Sequence, residues 1–124
     1  MRILVADDNE FVRQGILRLL AKQVGYEVCA EAADSADAIR KACELHPDLI
    51  LLDVSMPGTN GLETARILKQ ELPQTRILII SQHDPKQMLL RSQEAGADGS
   101  VDKARLGSDL LPAIRELEGT SSGR

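Results

Sequence analysis

Residues 48–53, Asp-Leu-Ile-Leu-Leu-Asp, limit the fold more than any other stretch of the chain. Side chains along a strand point to alternate faces, so a half-exposed strand alternates apolar with polar residues. This run does not alternate. Its four large apolar side chains need cover on both faces, which is the situation of a central strand in a parallel sheet with helices above and below.

Ile3-Leu4-Val5-Ala6 and Arg76-Ile77-Leu78-Ile79-Ile80-Ser81 repeat that pattern. Tyr26 to Ala30 reads as a further strand, and Gly99-Ser100-Val101 as a short, weak one. Longer segments with helical spacing separate them. Phe11, Gly15, Leu19 and Leu20 fall on one face of the first, which Gly25 stops. Asp34 or Ser35 can cap the second, with Ile39, Ala42 and Cys43 on its inner face and Pro47 ending the connection. The Pro- and Gly-rich residues 54–61 predict a loop, followed by a helix from about Leu62 to Leu72 that Pro73 ends. Met88, Leu89 and Ala95 mark the next helix, stopped by Gly96. Leu106, Leu110, Ile114 and Leu117 form the inner face of the last. Five strands alternating with five helices over residues 1–118 predict one α/β domain, a doubly wound (βα)5 parallel sheet. Residues 119–124 are predicted as a flexible tail or the start of a linker.

A chain of 124 residues can bury a core without disulfides or a structural metal. Cys29 and Cys43 lack metal-ligand spacing and are read as small buried hydrophobes. A net charge of −4 without a Lys/Arg cluster argues against direct nucleic-acid binding. Phe11 and Tyr26 are the only aromatics, so base stacking has no platform. No apolar run approaches the roughly 20 residues of a membrane span. The first residues have no signal-peptide layout, and the expected compartment is the cytoplasm.

In such sheets the site lies beyond the C-terminal ends of the strands, where strand order reverses. Those ends carry Asp7 and Asp8, Asp53 and Ser81, with Lys103 after the last strand. Each has a bland reading alone: a turn or helix cap for the aspartates, a local hydrogen bond for Ser81, a solvated charge for Lys103. Their joint placement on one edge outweighs those readings. Clustered carboxylates are costly unless a cation neutralises them. Oxygen ligands favour a hard divalent ion, and Mg2+ fits because it accepts a few carboxylates, keeps waters and bridges to phosphate. A carboxylate beside Mg2+ and a lysine can attack a phosphoryl group, with the serine hydroxyl donating to one of its oxygens.

The stretches ILVADDNE, DLILLDVSMPGTNGLE, ILIISQHD and EAGADGSVDK together resemble the receiver domain of two-component response regulators, from Arg2 to about Glu118. The resemblance implies a flavodoxin-like, CheY-like fold with strand order 2-1-3-4-5. It implies that Asp53 accepts a phosphoryl group from a sensor histidine kinase. Asp8 would bind Mg2+ directly, with Asp7 in support and the backbone carbonyl of Ser55 completing the protein ligands around Asp53. Ser81 would be the switch hydroxyl and Lys103 the family's lysine. SQHD and EAGADG resemble the NarL/FixJ type, which usually precedes a LuxR-like DNA-binding domain. DNA would then be reached only through an output domain outside this chain. A homodimer would form through the fourth helix, fifth strand and fifth helix, or through the first and fifth helices. Met88, Leu89, Leu90 and Arg91 fall on that fourth helix and read either as interface or, for Met88 and Leu89, as core.

Three positions depart from the family pattern. Ser100 stands where an aromatic residue usually does, which puts the usual aromatic readout in doubt. Ala104 stands where proline usually follows the lysine, so the Lys103–Ala104 bond is expected either trans with a shifted loop or cis and held by the site, at about 2.5–4 kcal/mol. Asp102 reads as a solvated carboxylate or as a partner for a basic residue of another protein. His83 is expected to tune the lifetime of the phosphoryl group, as is Ser55, and Gly58, Asn60 and Gly61 read as loop and turn residues. Competing readings are a receiver-like interaction module that does not use phosphorylation, an aspartate-nucleophile phosphohydrolase, and a flavin carrier. The phosphohydrolase typically has a second aspartate where this chain has Ser55, and the flavin carrier has a hydroxyl- and Gly-rich loop after its first strand.

Overall fold

The computed structural model describes residues 1–56, 60–82 and 85–121, with 85–89, 120 and 121 as backbone alone. Strands and helices alternate along these residues: β1 (Arg2–Ala6), α1 (Glu10–Ala21), β2 (Glu27–Ala32), α2 (Ser35–Leu45), β3 (Leu49–Asp53), α3 (Gly61–Glu71), β4 (Arg76–Ser81), α4 (Pro85–Glu94), β5 (Gly99–Asp102) and α5 (Leu106–Ser121). A 3-10 turn at Lys103–Arg105 joins β5 to α5. The strands form one parallel sheet in the order β2-β1-β3-β4-β5. Both the doubly wound architecture and the strand order agree with the sequence-based expectation.

The unbroken apolar runs are explained by two cores, one on each face. Leu4, Ala6, Ile50, Leu52, Ile77 and Ile79 point to one side and meet Ala38 and Ala42 of α2 and Ala65 and Leu68 of α3. Their chain neighbours Ile3, Val5, Leu49, Leu51, Leu78 and Ile80 point to the other and meet Ile16 and Leu20 of α1 and Leu110 and Ile114 of α5. Burial of each large apolar side chain among them contributes about 1.5–3 kcal/mol, so both faces are energetically committed. Short polar side chains start the helices. Asn9, Asp34 and Asn60 accept backbone N–H bonds from Val12, Asp37 and Leu62 at the starts of α1, α2 and α3.

Some expectations are corrected. Phe11 is 81% exposed, and the buried residues of α1 are Ile16 and Leu20. Phe11 lies in the first turn, at a rim that no other element covers. Cys43 is exposed and Cys29 only half-buried. On α2 the inward positions are Ser35, Ala38 and Ala42, and one further residue rotates Cys43 about 100° away from the sheet. α1 ends at Ala21, before Gly25, whose φ of 93° turns the chain into β2 instead. Helix α5 runs to Ser121. No helix among the described residues is long and apolar enough to cross a membrane. Gly58, His83 and the side chains of Met88 and Leu89 lie outside the described residues. On α4, Leu90 is 63% exposed and Arg91 is exposed.

Candidate functional site

The chain passes from β1 outward to β2 and then back across to β3, so β1 and β3 are neighbours and strand order reverses between them. Ala6 pairs with Leu52, which sets Asp7 and Asp53 side by side just past the last apolar layer. Asp53 pairs with Ile80, which brings Ser81 to the same edge, and Ser81 pairs with Asp102, which delivers Lys103. Parallel register alone thus gathers residues from four strands.

Asp7 and Asp53 are completely buried, and Lys103 is 8% exposed at its side chain. The Lys103 Nζ bridges them, 3.0 Å from Asp53 Oδ2 and 3.1 Å from Asp7 Oδ2. Asp8 is exposed at the mouth. One carboxylate oxygen from each of Asp7, Asp8 and Asp53 lies within 4.8 Å of the others. Among the described residues, three carboxylates thus cluster beside one ammonium. Among the described residues, Lys103 is the one group against the buried Asp7 Oδ2 that carries positive charge. Two buried carboxylates sharing one ammonium, with a third carboxylate exposed beside them, fit a hard divalent cation.

The two buried aspartates are held differently. Burial raises the Asp53 carboxyl, but the Ser55 hydroxyl and amide and the Lys103 ammonium outweigh it and keep Asp53 below the usual range. Burial also raises Asp7, its repulsion from Asp53 adds to this, and the Asn9 amide and Lys103 do not compensate. Lys103 loses to burial but gains more from Asp53 and Asp7, so its pKa is raised and it stays an ammonium. The outcome is an ionised Asp53 held by donors on both oxygens, a suitable state for a nucleophile.

Local structure explains that state. Ser55 Oγ donates to Asp53 Oδ1 at 2.7 Å and the Ser55 amide donates to the same oxygen at 2.9 Å. The sequence motif put Ser55 in the site through its carbonyl, and this double donation was not foreseen. A short hydroxyl two residues past a strand-end aspartate is the signal for such a turn. Gly61, expected as a turn residue, is the first residue of α3. A Cβ there would stand 2.3 Å from Val54 Cα, so only glycine lets α3 pack against the chain just after Asp53. Asn60, likewise expected in the turn, caps that helix.

Ser81 is buried at the end of β4. The Lys103–Ala104 bond is trans, one of the two expected outcomes, and Lys103 still reaches both aspartates. Asp102 has a local role: its Oδ1 accepts the Ala104 amide at 2.9 Å and caps the 3-10 turn that carries Lys103. Ser100 lines an open cleft of about 460 Å³ between β5 and α5, with Asp102, Asp109, Pro112, Ala113 and Glu116.

Fold and site together define a doubly wound α/β protein with an acidic, lysine-bridged pocket at its topological switch point. The model of the response regulator receiver domain matches residues 3–115. The chain is 37% identical over 122 residues to the response regulator protein VraR of Staphylococcus epidermidis, covering 98% of this chain and 58% of that protein. It therefore spans little more than half the length of that relative. A two-component response regulator of the LuxR family from Aurantimonas is 39% identical, with a TM-score of 0.88 over 94% of this chain and 83% of the other. The signal receiver domain of the response regulator NarL from Mycobacterium tuberculosis is 33% identical, with a TM-score of 0.86 over 99% of this chain and 97% of the other. This chain belongs to the response regulator receiver domain family, and its relatives agree with the NarL/FixJ type read from its motifs.

Proposed function

We propose that this domain is a phosphorylation-controlled switch in which Asp53 is the phosphoacceptor. The observation that carries the reading is the fully buried Asp53 carboxylate, fixed by Ser55 and 3.0 Å from the Lys103 ammonium. The donor is the phosphohistidine of a sensor kinase. An Asp53 carboxylate oxygen attacks phosphorus, the P–N bond breaks, and the departing imidazole nitrogen keeps the electron pair and takes up a proton. Asp7, Asp8, Asp53 and the Ser55 carbonyl would hold Mg2+. When bound, Mg2+ neutralises charge on the phosphoryl oxygens. Lys103 pairs with one of those oxygens, and Ser81 donates to another. Both contacts exist only once the phosphoryl group is present, so they bias the domain between two states.

The output lies in another part of a longer protein. LuxR-family relatives support a DNA-binding output and transcriptional control, and the domain's own net charge of −4 agrees with DNA being reached through that other part. With Ser100 where the family has an aromatic ring, the exposed Leu90 and Arg91 of α4 and the β5–α5 cleft are surfaces that can carry the switch, including to a second copy. The domain catalyses nothing beyond its own phosphorylation and dephosphorylation, and acts in the cytoplasm.

The test is intact-protein mass after incubation with acetyl phosphate, with and without Mg2+. The wild type should gain one phosphoryl group only with Mg2+, and Asp53→Asn should gain none. No gain in the wild type, together with no binding of beryllofluoride, would falsify the switch and leave a module for protein contacts alone.

A further inference from the structure

The Asp7–Asp8 corner has a second anchor away from the metal-facing side. Past Ala6 the ladder between β1 and β2 ends, because β2 stops at Ala32 and the chain turns to the α2 cap at Asp34. The Asp7 amide still donates to the Ala32 carbonyl at 3.0 Å. The Asp7 carbonyl has no strand donor opposite it. Instead Nη1 of Arg13, the fourth residue of α1, donates to it at 2.6 Å. The same guanidinium donates through Nε to Glu31 Oε1 of β2 at 2.9 Å, and the Arg13 side chain is 15% exposed. The Lys41 ammonium of α2 donates to the Glu31 carbonyl at 2.5 Å, which fixes the strand end that orients Glu31.

We infer that Arg13 is a positioning residue: clamped by Glu31, it holds the Asp7 carbonyl and so sets the aim of the Asp7 and Asp8 carboxylates at the cation. The inference rests on the metal-holding role proposed above. The geometry is the reason. The Asp7–Asp8 peptide plane is fixed on one side by its carbonyl, and on the other the Asp7 side chain is fixed by the Asn9 amide at 2.8 Å. Without Arg13 that peptide can rotate, and three oxygens that must meet one ion lose their common centre. Glu31 also compensates the guanidinium charge, which would otherwise repel a cation from the same corner. A planar fork can hold a carbonyl and a carboxylate at once, whereas a lysine ammonium is a point charge without that fixed geometry.

The sign of the effect separates this role from simple electrostatics. If Arg13 acted only as a positive charge near the site, its removal would tighten cation binding. As a positioning residue, its removal weakens it. Outer-shell partners of metal ligands typically contribute about 10–100-fold to metal affinity, and one backbone contact belongs near the lower figure. The experiment is Mn2+ binding followed by electron paramagnetic resonance on wild type, Arg13→Met and Arg13→Lys, each with its Tm in metal-free buffer. Acetyl phosphate uptake is then measured over a range of Mg2+ concentrations. Both variants should bind Mn2+ about tenfold more weakly and need about tenfold more Mg2+ for half-maximal uptake, with the rate at saturating Mg2+ within about twofold of wild type. Unchanged or tighter Mn2+ binding in a folded variant overturns the inference, whatever happens to Tm. Arg13→Lys, which keeps the charge and most of the packing, serves if Arg13→Met does not fold. Wild type that binds no Mn2+ would instead sink the metal reading itself, and the inference with it.

Discussion

The two ends of the sheet are built from similar residues to opposite effect. At the N-terminal ends of the strands, charges and polar groups are matched. Arg2 Nη1 donates to the Leu45 and His46 carbonyls at 2.6 and 3.2 Å, and the Arg2 amide donates to Asp48 Oδ2 at 2.7 Å. The Met1 ammonium donates to the Gly25 carbonyl, and Thr75 Oγ1 donates to the Pro47 carbonyl. Tyr26 donates to Glu118, closing the end of α5 onto the start of β2. At the C-terminal ends, among the described residues, three carboxylates cluster around the single ammonium of Lys103. A hollow of about 700 Å³ lies at the matched end, between Met1, His46, Leu72 and Arg76. Unbalanced charge marks the site, because a satisfied network has nothing left to offer a ligand.

The contrast can be broken most sharply with metal. A ligand that binds only the folded state stabilises by about 2.7 kcal/mol at a hundredfold excess over Kd, on the order of 10 °C in Tm for a chain this size. Scanning calorimetry in Mg2+ should show that rise in wild type, and Asp8→Asn should lose most of it. An equal rise in both would mean that the cation binds elsewhere.

Arg2→Met comes next. It leaves the Leu45 and His46 carbonyls at the end of α2 without their charged donor and should cost about 1.5–3 kcal/mol in urea denaturation. Mg2+-dependent phosphoryl uptake by the folded variant should match wild type. Loss of uptake would show that the two ends are coupled.

Tyr26→Phe should have the smallest effect, about 0.5–1.5 kcal/mol, from one hydrogen bond. Its pH dependence has a definite sign. Burial first, and then the Glu118 carboxylate, push the Tyr26 phenol up to about 12, against a slight opposing pull from Arg115. The unfolded chain releases that proton near 10, so the contribution is complete below pH 10 and lost as pH rises from 10 to 12. Tyr26 is the single tyrosine in a chain without tryptophan, so absorbance titration near 295 nm reads it directly. A titration midpoint near 10 would remove the latch from the account.

Some of the site was legible because strand ends are legible. A run such as Leu49-Ile50-Leu51-Leu52 ends where its first polar residue appears, and in a parallel sheet every such end lies on one edge. That logic placed Asp7, Asp8, Asp53, Ser81 and Lys103 without coordinates. It failed where rotation about a helix decides. Cys43 differs from the buried Ala42 by one position and about 100°, and Phe11 matches the apolar spacing of α1 but lies at its uncovered first turn. It also missed contacts that cross elements. Nothing in the sequence joins Arg13 to the Asp7 carbonyl and Glu31, or Tyr26 to Glu118, because those pairs depend on how α1 and α5 lie against the sheet.

By itself, then, the sequence determined the alternation of strands and helices, the two-sided core and the identity of the acidic residues and lysine at the strand ends, because periodicity and strand-end polarity are local properties. The tertiary structure decided that Lys103 bridges Asp7 and Asp53, that Ser55 holds Asp53 with its hydroxyl and amide, and that Asp102 caps the turn at Lys103 over a trans bond. The first of these joins distant parts of the chain, and the other two close turns of two residues. All depend on directions fixed to tenths of an ångström, which come from packing and not from spacing along the chain.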